Sequence, residues 1–201
     1  MTKSGSEMWD KRYSDETFAY GIEPNEFFKD ELLKLKTGKV LLPAEGEGRN
    51  AVFAARNNWE VVAFDQSEQG KQKAIGLAEK FQVAIKYDIA DFEEFSFEKE
   101  TFDCVALVYV HVPEDKRKVY HRMMMRYLKP GGIMLLEGFS KRQLGNKSGG
   151  PGQIEMLFSK DDLIDDFSEL EMIKLEELDV DLNEGDFHKG KASVIRYIGK
   201  K

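Results

Sequence analysis

Short apolar runs alternate with amphipathic stretches along most of the chain. Pro24 to Leu35 carries Phe27, Phe28, Leu32 and Leu35 at helical spacing behind a proline suited to a first turn, and Gly38 ends it. Strand and helix then take turns. Lys39 to Leu42 reads as a strand, Arg49 to Asn57 as a helix, Trp59 to Phe64 as a strand, Glu68 to Lys80 as a helix and Val83 to Tyr87 as a short strand. The strongest apolar run, Phe102 to Val110, is the expected central strand. Pro113 opens a helix over Glu114 to Tyr127, and Lys129-Pro130-Gly131-Gly132 turns it into the strand Ile133 to Phe139. The Gly-, Ser- and Lys-rich stretch Lys141 to Gly152 is the one long flexible loop expected. A short helix over Lys160 to Phe167 precedes two strand-like runs, Glu169 to Val180 and Ala192 to Ile198. The turn Asn183-Glu184-Gly185-Asp186 leaves room for an antiparallel pair and none for a helical crossover.

Such alternation predicts an α/β fold whose mostly parallel sheet is covered by helices and whose ligands lie at the carboxyl ends of the strands. The 201 residues suit a single domain, 1–201, with 1–37 as an N-terminal lid or helix region and 38–201 as sheet and helices. The start MTKSGSEMWDKRY lacks the apolar core of a secretory signal, and no apolar run is long enough to cross a membrane, so a cytoplasmic protein is expected. The net charge of −7, with acids crowded into DDLIDDFSELEMIKLEELDVD, argues against a phosphate-backbone partner, so no nucleic acid is expected. The single cysteine, Cys104, lies inside the central apolar run and reads as packing. The three histidines are far apart, and no metal site is expected.

VLLPAEGEGRNAVFAA places Gly46 and Gly48 between a strand and a helix, where missing β-carbons let backbone amides approach a ligand at the helix N-terminus. Asp65 ends the next strand, where a carboxylate can accept from both hydroxyls of a ribose. Gly46-x-Gly48-x-x-Ala51 also fits a dinucleotide fingerprint, so the turn alone leaves an NAD(P)-dependent oxidoreductase open.

The order of the segments resembles the class I S-adenosylmethionine methyltransferases. VLLPAEGEGRN resembles their first motif, VVAFDQS the second, KYDIADF the third, FDCVALVYVHVP the fourth, and LKPGGIMLLEGF the strand that follows. WDKRY, YGIEPN, GEGRNAVFAA and EGDFHKGKASVIR are similar to the tellurite-resistance and thiopurine methyltransferases. The resemblance implies a Rossmann-like sandwich with a seven-stranded sheet, S-adenosyl-L-methionine as cofactor, S-adenosyl-L-homocysteine as product and a small-molecule acceptor. It places Glu45, Gly46, Gly48, Arg49, Asp65, Gln66, Asp88, Ile89, Val108 and Tyr109 at the cofactor, with Arg49 facing the methionine carboxylate, Asp65 the ribose, and Asp88 and Ile89 the adenine. His111 and His188 become the candidate bases, His121 is packing or surface, and Trp9, Tyr13 and Tyr20 with Glu23 and Asn25 form a lid. Gly149-Gly150-Pro151 would shape the acceptor mouth. The family commonly has an acid in the first strand and a glycine two residues later, where this chain has Leu42 and Ala44. Glu45 would supply the acid from a shifted position, and a noncatalytic cofactor-binding domain is the other reading that departure leaves. A soft thiol, selenium or tellurium acceptor needs little basic help; an alcohol or amine needs a base.

Overall fold

The computed structural model describes residues 3–201. In chain order the elements are α1 (Lys3–Tyr13), α2 (Glu26–Leu32), β1 (Lys39–Pro43), α3 (Arg49–Arg56), β2 (Glu60–Asp65), α4 (Glu68–Lys80), β3 (Lys86–Ile89), β4 (Phe102–Val108), α5 (Glu114–Tyr127), β5 (Leu128–Phe139), α6 (Lys160–Asp166), β6 (Glu171–Glu184) and β7 (His188–Lys200). The seven strands form one sheet in the order β3-β2-β1-β4-β5-β7-β6. β1 with β2, β2 with β3, and β4 with β5 pair in parallel, whereas β7 runs antiparallel to β5. This is the α/β architecture read from the alternation, with antiparallel C-terminal strands. Among the described residues no helix is long and apolar enough to cross a membrane.

Contacts group the chain into two compact units, one reaching to Phe97 and including Glu184–Asp186, the other comprising Glu98–Asn183 and Phe187–Lys201. In the first, β1 and β2 are buried almost end to end, as expected of strands covered on both faces. α3 and α4 contribute Ala51, Val52, Ala54, Ala74, Leu77 and Ala78 to that core. α4 starts where its chemistry says it should. The Ser67 hydroxyl accepts from the Gly70 amide, Glu68 lies in the first turn and Lys80 in the last, each sign suited to the helix dipole.

The second unit packs α5 and α6 through a buried charged cluster. Arg117 Nε donates to Asp166 at 2.6 Å, and His121 Nδ1 lies 2.9 Å from the same carboxylate oxygen. His121 is thus a buried partner of α6, not a surface residue of an amphipathic helix. Burial lowers its affinity for a proton, against the pull of Asp166.

Several expected boundaries moved, and the loop expected to be flexible is held; the main cases have a physical reason. Val83 and Ile85 pack beneath α3 and α4 against Val52, Leu77 and Ala78, so the third strand enters the ladder only at Lys86. β4 stops at Val108 because Tyr109 adopts φ 54°, which breaks the extended run. The Lys-Pro-Gly-Gly turn is absorbed into β5 as a bulge: pairing jumps from Phe102↔Leu128 to Cys104↔Ile133, with Gly131 at φ 81°. The loop expected to be flexible is tied down by Gln143. Its amide nitrogen donates to Ser148 Oγ and Gly149 O, and its oxygen accepts from the Ser193 amide and from Asn146.

Candidate active site

The glycine turn links β1 to α3 through three left-handed positions, Ala44 (φ 50°), Gly46 (φ 62°) and Gly48 (φ 85°). Ala44 therefore keeps the backbone that a glycine would adopt there, at a cost on the order of 1 kcal/mol. Leu42, in the place of the family's acid, is 1 % exposed and belongs to the core. Glu45, expected to supply that acid from a shifted position, turns its carboxylate to the start of α3. Gly48, the N-cap of α3, has no side chain to satisfy the helix's first amides. Glu45 does so instead: its carboxylate accepts from the Ala51 amide at 2.7 Å and from Asn50 Nδ2 at 3.4 Å. Burial pushes the Glu45 carboxyl up to about 7, opposed by these bonds and by Arg49.

The two glycines serve different neighbours. A β-carbon on Gly48 would lie 2.5 Å from Ala74 Cβ and 2.8 Å from Ala74 Cα, so this glycine lets α3 and α4 meet. A β-carbon on Gly46 would lie 2.6 Å from the Tyr13 hydroxyl, the far end of a side chain on α1. Arg49, expected at a cofactor carboxylate, is committed elsewhere. Its guanidinium donates to Glu184 Oε2 at 2.8 Å and to the Tyr20 carbonyl at 3.1 Å, while Asn25 Nδ2 donates to the other Glu184 oxygen. That ion pair is nearly dry, and burial of both charges makes the pairing obligatory.

Asp65 is the organising residue. From the end of β2 its Oδ2 accepts from the Gly46 amide at 3.1 Å and its Oδ1 from the Ser67 amide at 2.9 Å. Burial raises its carboxyl to about 6, against hydrogen bonds from Ser67, Gly46 and Gln66 that favour the ionised form. Ile89 pairs with Asp65 across the ladder, is 46 % exposed, and borders a shallow groove of about 530 Å³ with Lys71, Gln72 and Ile75 of α4. Asp88 beside it is half-exposed, 3.4 Å from Lys86 Nζ.

α1 lies over this arrangement. Trp9 stacks on Tyr13 with ring centroids 5.5 Å apart, and Asp10 accepts from the Ser67 hydroxyl at 2.6 Å and the Gln69 amide at 3.2 Å, at the start of α4. Gln66 lies under the same helix, its side-chain oxygen 3.2 Å from where a Gly5 β-carbon would be. Of the other lid candidates, Tyr20 accepts from Arg12 at 3.0 Å, Asn25 caps α2 through the Phe28 amide, and Glu23 is exposed. Two residues that sequence reasoning missed complete the turn. Tyr87 of β3 donates its hydroxyl to the Gly46 carbonyl at 2.6 Å, and Gly70 of α4 admits that carbonyl, since a β-carbon there would lie 2.9 Å from it.

In the second unit, half-buried Val108 ends β4 and the Tyr109 ring meets Phe139 at 4.7 Å and His188 at 4.4 Å. His188 is buried and edge-on to Phe139. Gly149 presses on it so closely that a β-carbon there would come within 2.6 Å of His188 Cδ2. His111 is not built as a base. Its Nδ1 faces the Met156 carbonyl at 2.7 Å and so must carry the proton, while its Nε2 accepts from the Phe139 amide at 3.1 Å. Burial lowers its proton affinity to about 4, and it stays neutral near pH 7. His111→Ala orphans both backbone groups, so a loss of about 2 to 4 kcal/mol in unfolding free energy is expected by denaturant titration. Wild-type stability with abolished turnover would restore the catalytic reading.

Residues 40–132 match the model of a family described as a methyltransferase domain. No curated protein shows significant similarity to the chain. Among solved structures, the chain resembles one from work on the conversion of a disulfide bond into a thioacetal group during echinomycin biosynthesis, at 18% identity and a TM-score of 0.81 over 98% of this chain and 91% of that one. TehB from Haemophilus influenzae is similar at 16% identity and a TM-score of 0.73, over 98% of this chain but only 66% of TehB. A SAM-dependent methyltransferase from Methanosarcina mazei is similar at 16% identity and a TM-score of 0.66, over 89% and 98% of the two chains. Likeness at these identities is one of fold, and the fold is the Rossmann-like class I methyltransferase sandwich.

Proposed function

We propose that residues 1–201 form one S-adenosylmethionine-dependent methyltransferase domain acting on a small molecule. The observation that carries this reading is the grip of Asp65 on the glycine turn at the carboxyl ends of β1 and β2, where this fold holds its ligands. The residues fit the cofactor group by group. Asp65 keeps acceptor capacity for a ribose hydroxyl beyond the backbone amides of Gly46, Ser67 and Gln66 that it already serves. Backbone amides of the glycine turn that neither Glu45 nor Asp65 takes are the donors for the cofactor's one anionic group, its carboxylate. Exposed Ile89 offers an apolar surface to a purine. When bound, the cofactor supplies an electrophilic methyl group. The chain's share is to align it, with α1 covering the turn and excluding water.

The acceptor class follows from the histidines. With both His111 nitrogens consumed, His188 is the remaining candidate base, and it is buried against Tyr109 and Phe139. That favours an acceptor needing little deprotonation at neutral pH: a thiol, a selenol, or a selenium or tellurium oxyanion as in the tellurite-resistance methyltransferases. Calorimetry with S-adenosylmethionine and S-adenosylhomocysteine tests the cofactor, and absence of binding to either at millimolar concentration sinks the proposal. Release of S-adenosylhomocysteine in the presence of thiols, selenite or tellurite tests the acceptor; binding without turnover on any of them would leave a noncatalytic binding domain.

A further inference from the structure

Gly46 is held at both of its polar atoms by side chains from neighbouring strands. Its amide donates to Asp65 at the end of β2, and its carbonyl accepts from the Tyr87 hydroxyl of β3 at 2.6 Å. Tyr87 is 4 % exposed, and its ring is fixed in the ladder where Ala63 pairs with it. The carbonyl also nestles against Gly70, the one point on the first turn of α4 where no side chain blocks it. A trans peptide sends its carbonyl and the following N–H in opposite directions. Fixing the Gly46 carbonyl on Tyr87 therefore turns the Glu47 N–H away from Tyr87 and Gly70. The Glu47 side chain is not free to wander either: its carboxylate accepts from the Ala19 amide at 2.8 Å and from Lys73 Nζ at 2.8 Å. At φ 62°, Gly46 lies in a region where glycine has a neighbouring alternative of nearly equal energy, so an external tether is what selects one peptide orientation.

We infer that Tyr87 is a positioning residue for the cofactor: by holding the Gly46 carbonyl it aims the Glu47 N–H at the carboxylate of the methionine moiety. This rests on the cofactor reading above and adds to it the group that sets the turn's orientation. Tyr87 acts through Gly46 and touches no ligand itself. The signature is selectivity within one family of ligands. S-adenosylhomocysteine carries the carboxylate; 5′-methylthioadenosine has the same adenosine and a thioether sulfur but no amino-acid end.

The test is isothermal calorimetry of wild-type and Y87F protein with each of the two ligands, the phenylalanine ring preserving the packing of β3. The dissociation constant for S-adenosylhomocysteine should rise by about five- to tenfold in Y87F, the loss of one well-aimed hydrogen bond to a charged group, while that for 5′-methylthioadenosine stays within twofold. In the ligand-free proteins, the Glu47 amide resonance in a 15N–1H spectrum should move on Y87F. Unchanged affinity for S-adenosylhomocysteine overturns the assignment, and so does an equal loss for both ligands, which would mean that the phenol only props up the site. If wild-type protein binds neither ligand, the cofactor reading fails and the assignment falls with it, an outcome plainly different from wild-type binding that Y87F leaves intact.

Discussion

Gly48→Ala should destabilise the protein by about 3 to 5 kcal/mol, whereas Gly46→Ala should cost only about 1 kcal/mol. Both glycines are left-handed, so the backbone strain is shared, and the difference comes from what the new β-carbon meets. At Gly48 it meets the Cα and Cβ of Ala74, atoms of a neighbouring helix backbone that move only if α3 and α4 separate. At Gly46 it meets a phenol at the end of the Tyr13 side chain, on a helix of few apolar residues. For a chain of this length, 3 to 5 kcal/mol corresponds to a fall of roughly 10 °C in Tm, well resolved in a thermal melt. The order should invert for the ligand. Gly46→Ala pushes Tyr13 off the turn and crowds the Glu47 amide, so its effect is on cofactor affinity and on the seating of α1, which Trp9 fluorescence reports. Equal melting of Gly48→Ala and wild type would mean that α3 and α4 have room to spare, and the separation of roles would be wrong.

The division between those glycines shows where the sequence stopped being informative. Both were legible as a turn between strand and helix, because that inference needs only local spacing. Their separate tasks depend on Ala74 and Tyr13, and nothing near the turn names those partners. The same contrast runs through the chain. α4 and α5 begin and end where expected because Ser67, Pro113 and the flanking charges are local signals. The third strand was misplaced because Val83 and Ile85 are as apolar as strand residues, and apolarity alone does not tell pairing from packing under a helix. Arg49 reads from the sequence as a ligand contact because its partner, Glu184, is 135 positions away. His111 reads from the sequence as a candidate base because the carbonyl that fixes its tautomer, at Met156, lies 45 positions on. A histidine after a central strand looks the same whether its nitrogens are free or spent. α1 gives only a weak signal in the sequence, since Met8, Trp9 and Tyr13 are too few to make a stripe; docking on Ser67, Gln69 and the glycine turn gives it its structure. What no pattern exposed was the pair Tyr87 and Gly70, ordinary residues in a strand and a helix until the Gly46 carbonyl is seen between them.

Asp65→Asn should weaken S-adenosylhomocysteine binding by about 1 to 3 kcal/mol and remove the part of its pH dependence centred near 6, leaving what Glu45 contributes near 7. The carboxylate is the acceptor that ribose hydroxyls need, and burial has moved its proton affinity from 3.8 up to about 6. Below that value the group carries a proton and presents a donor where an acceptor is required. Wild-type affinity should therefore fall as the pH drops through 6, by about tenfold at pH 5, where only about a tenth of the molecules have Asp65 ionised. The groups around it pull both ways. The Ser67, Gly46 and Gln66 amides favour ionisation and the Asp10 carboxylate opposes it, while the Tyr13 and Tyr87 phenols, held well above their ordinary range by burial, stay neutral throughout. Folding stability runs the other way. Because the folded state binds this proton more tightly than the unfolded chain, the contribution of Asp65 to stability is full below about 3.8 and is lost as the pH rises through about 6. That ionisation thus costs the fold something, and a buried acid kept at such a cost is what the proposed ribose role of Asp65 predicts. Calorimetry at pH 5, 6.5 and 8 on both proteins is decisive: if the asparagine variant keeps the wild-type slope, another group is titrating and Asp65 does not hold the ribose.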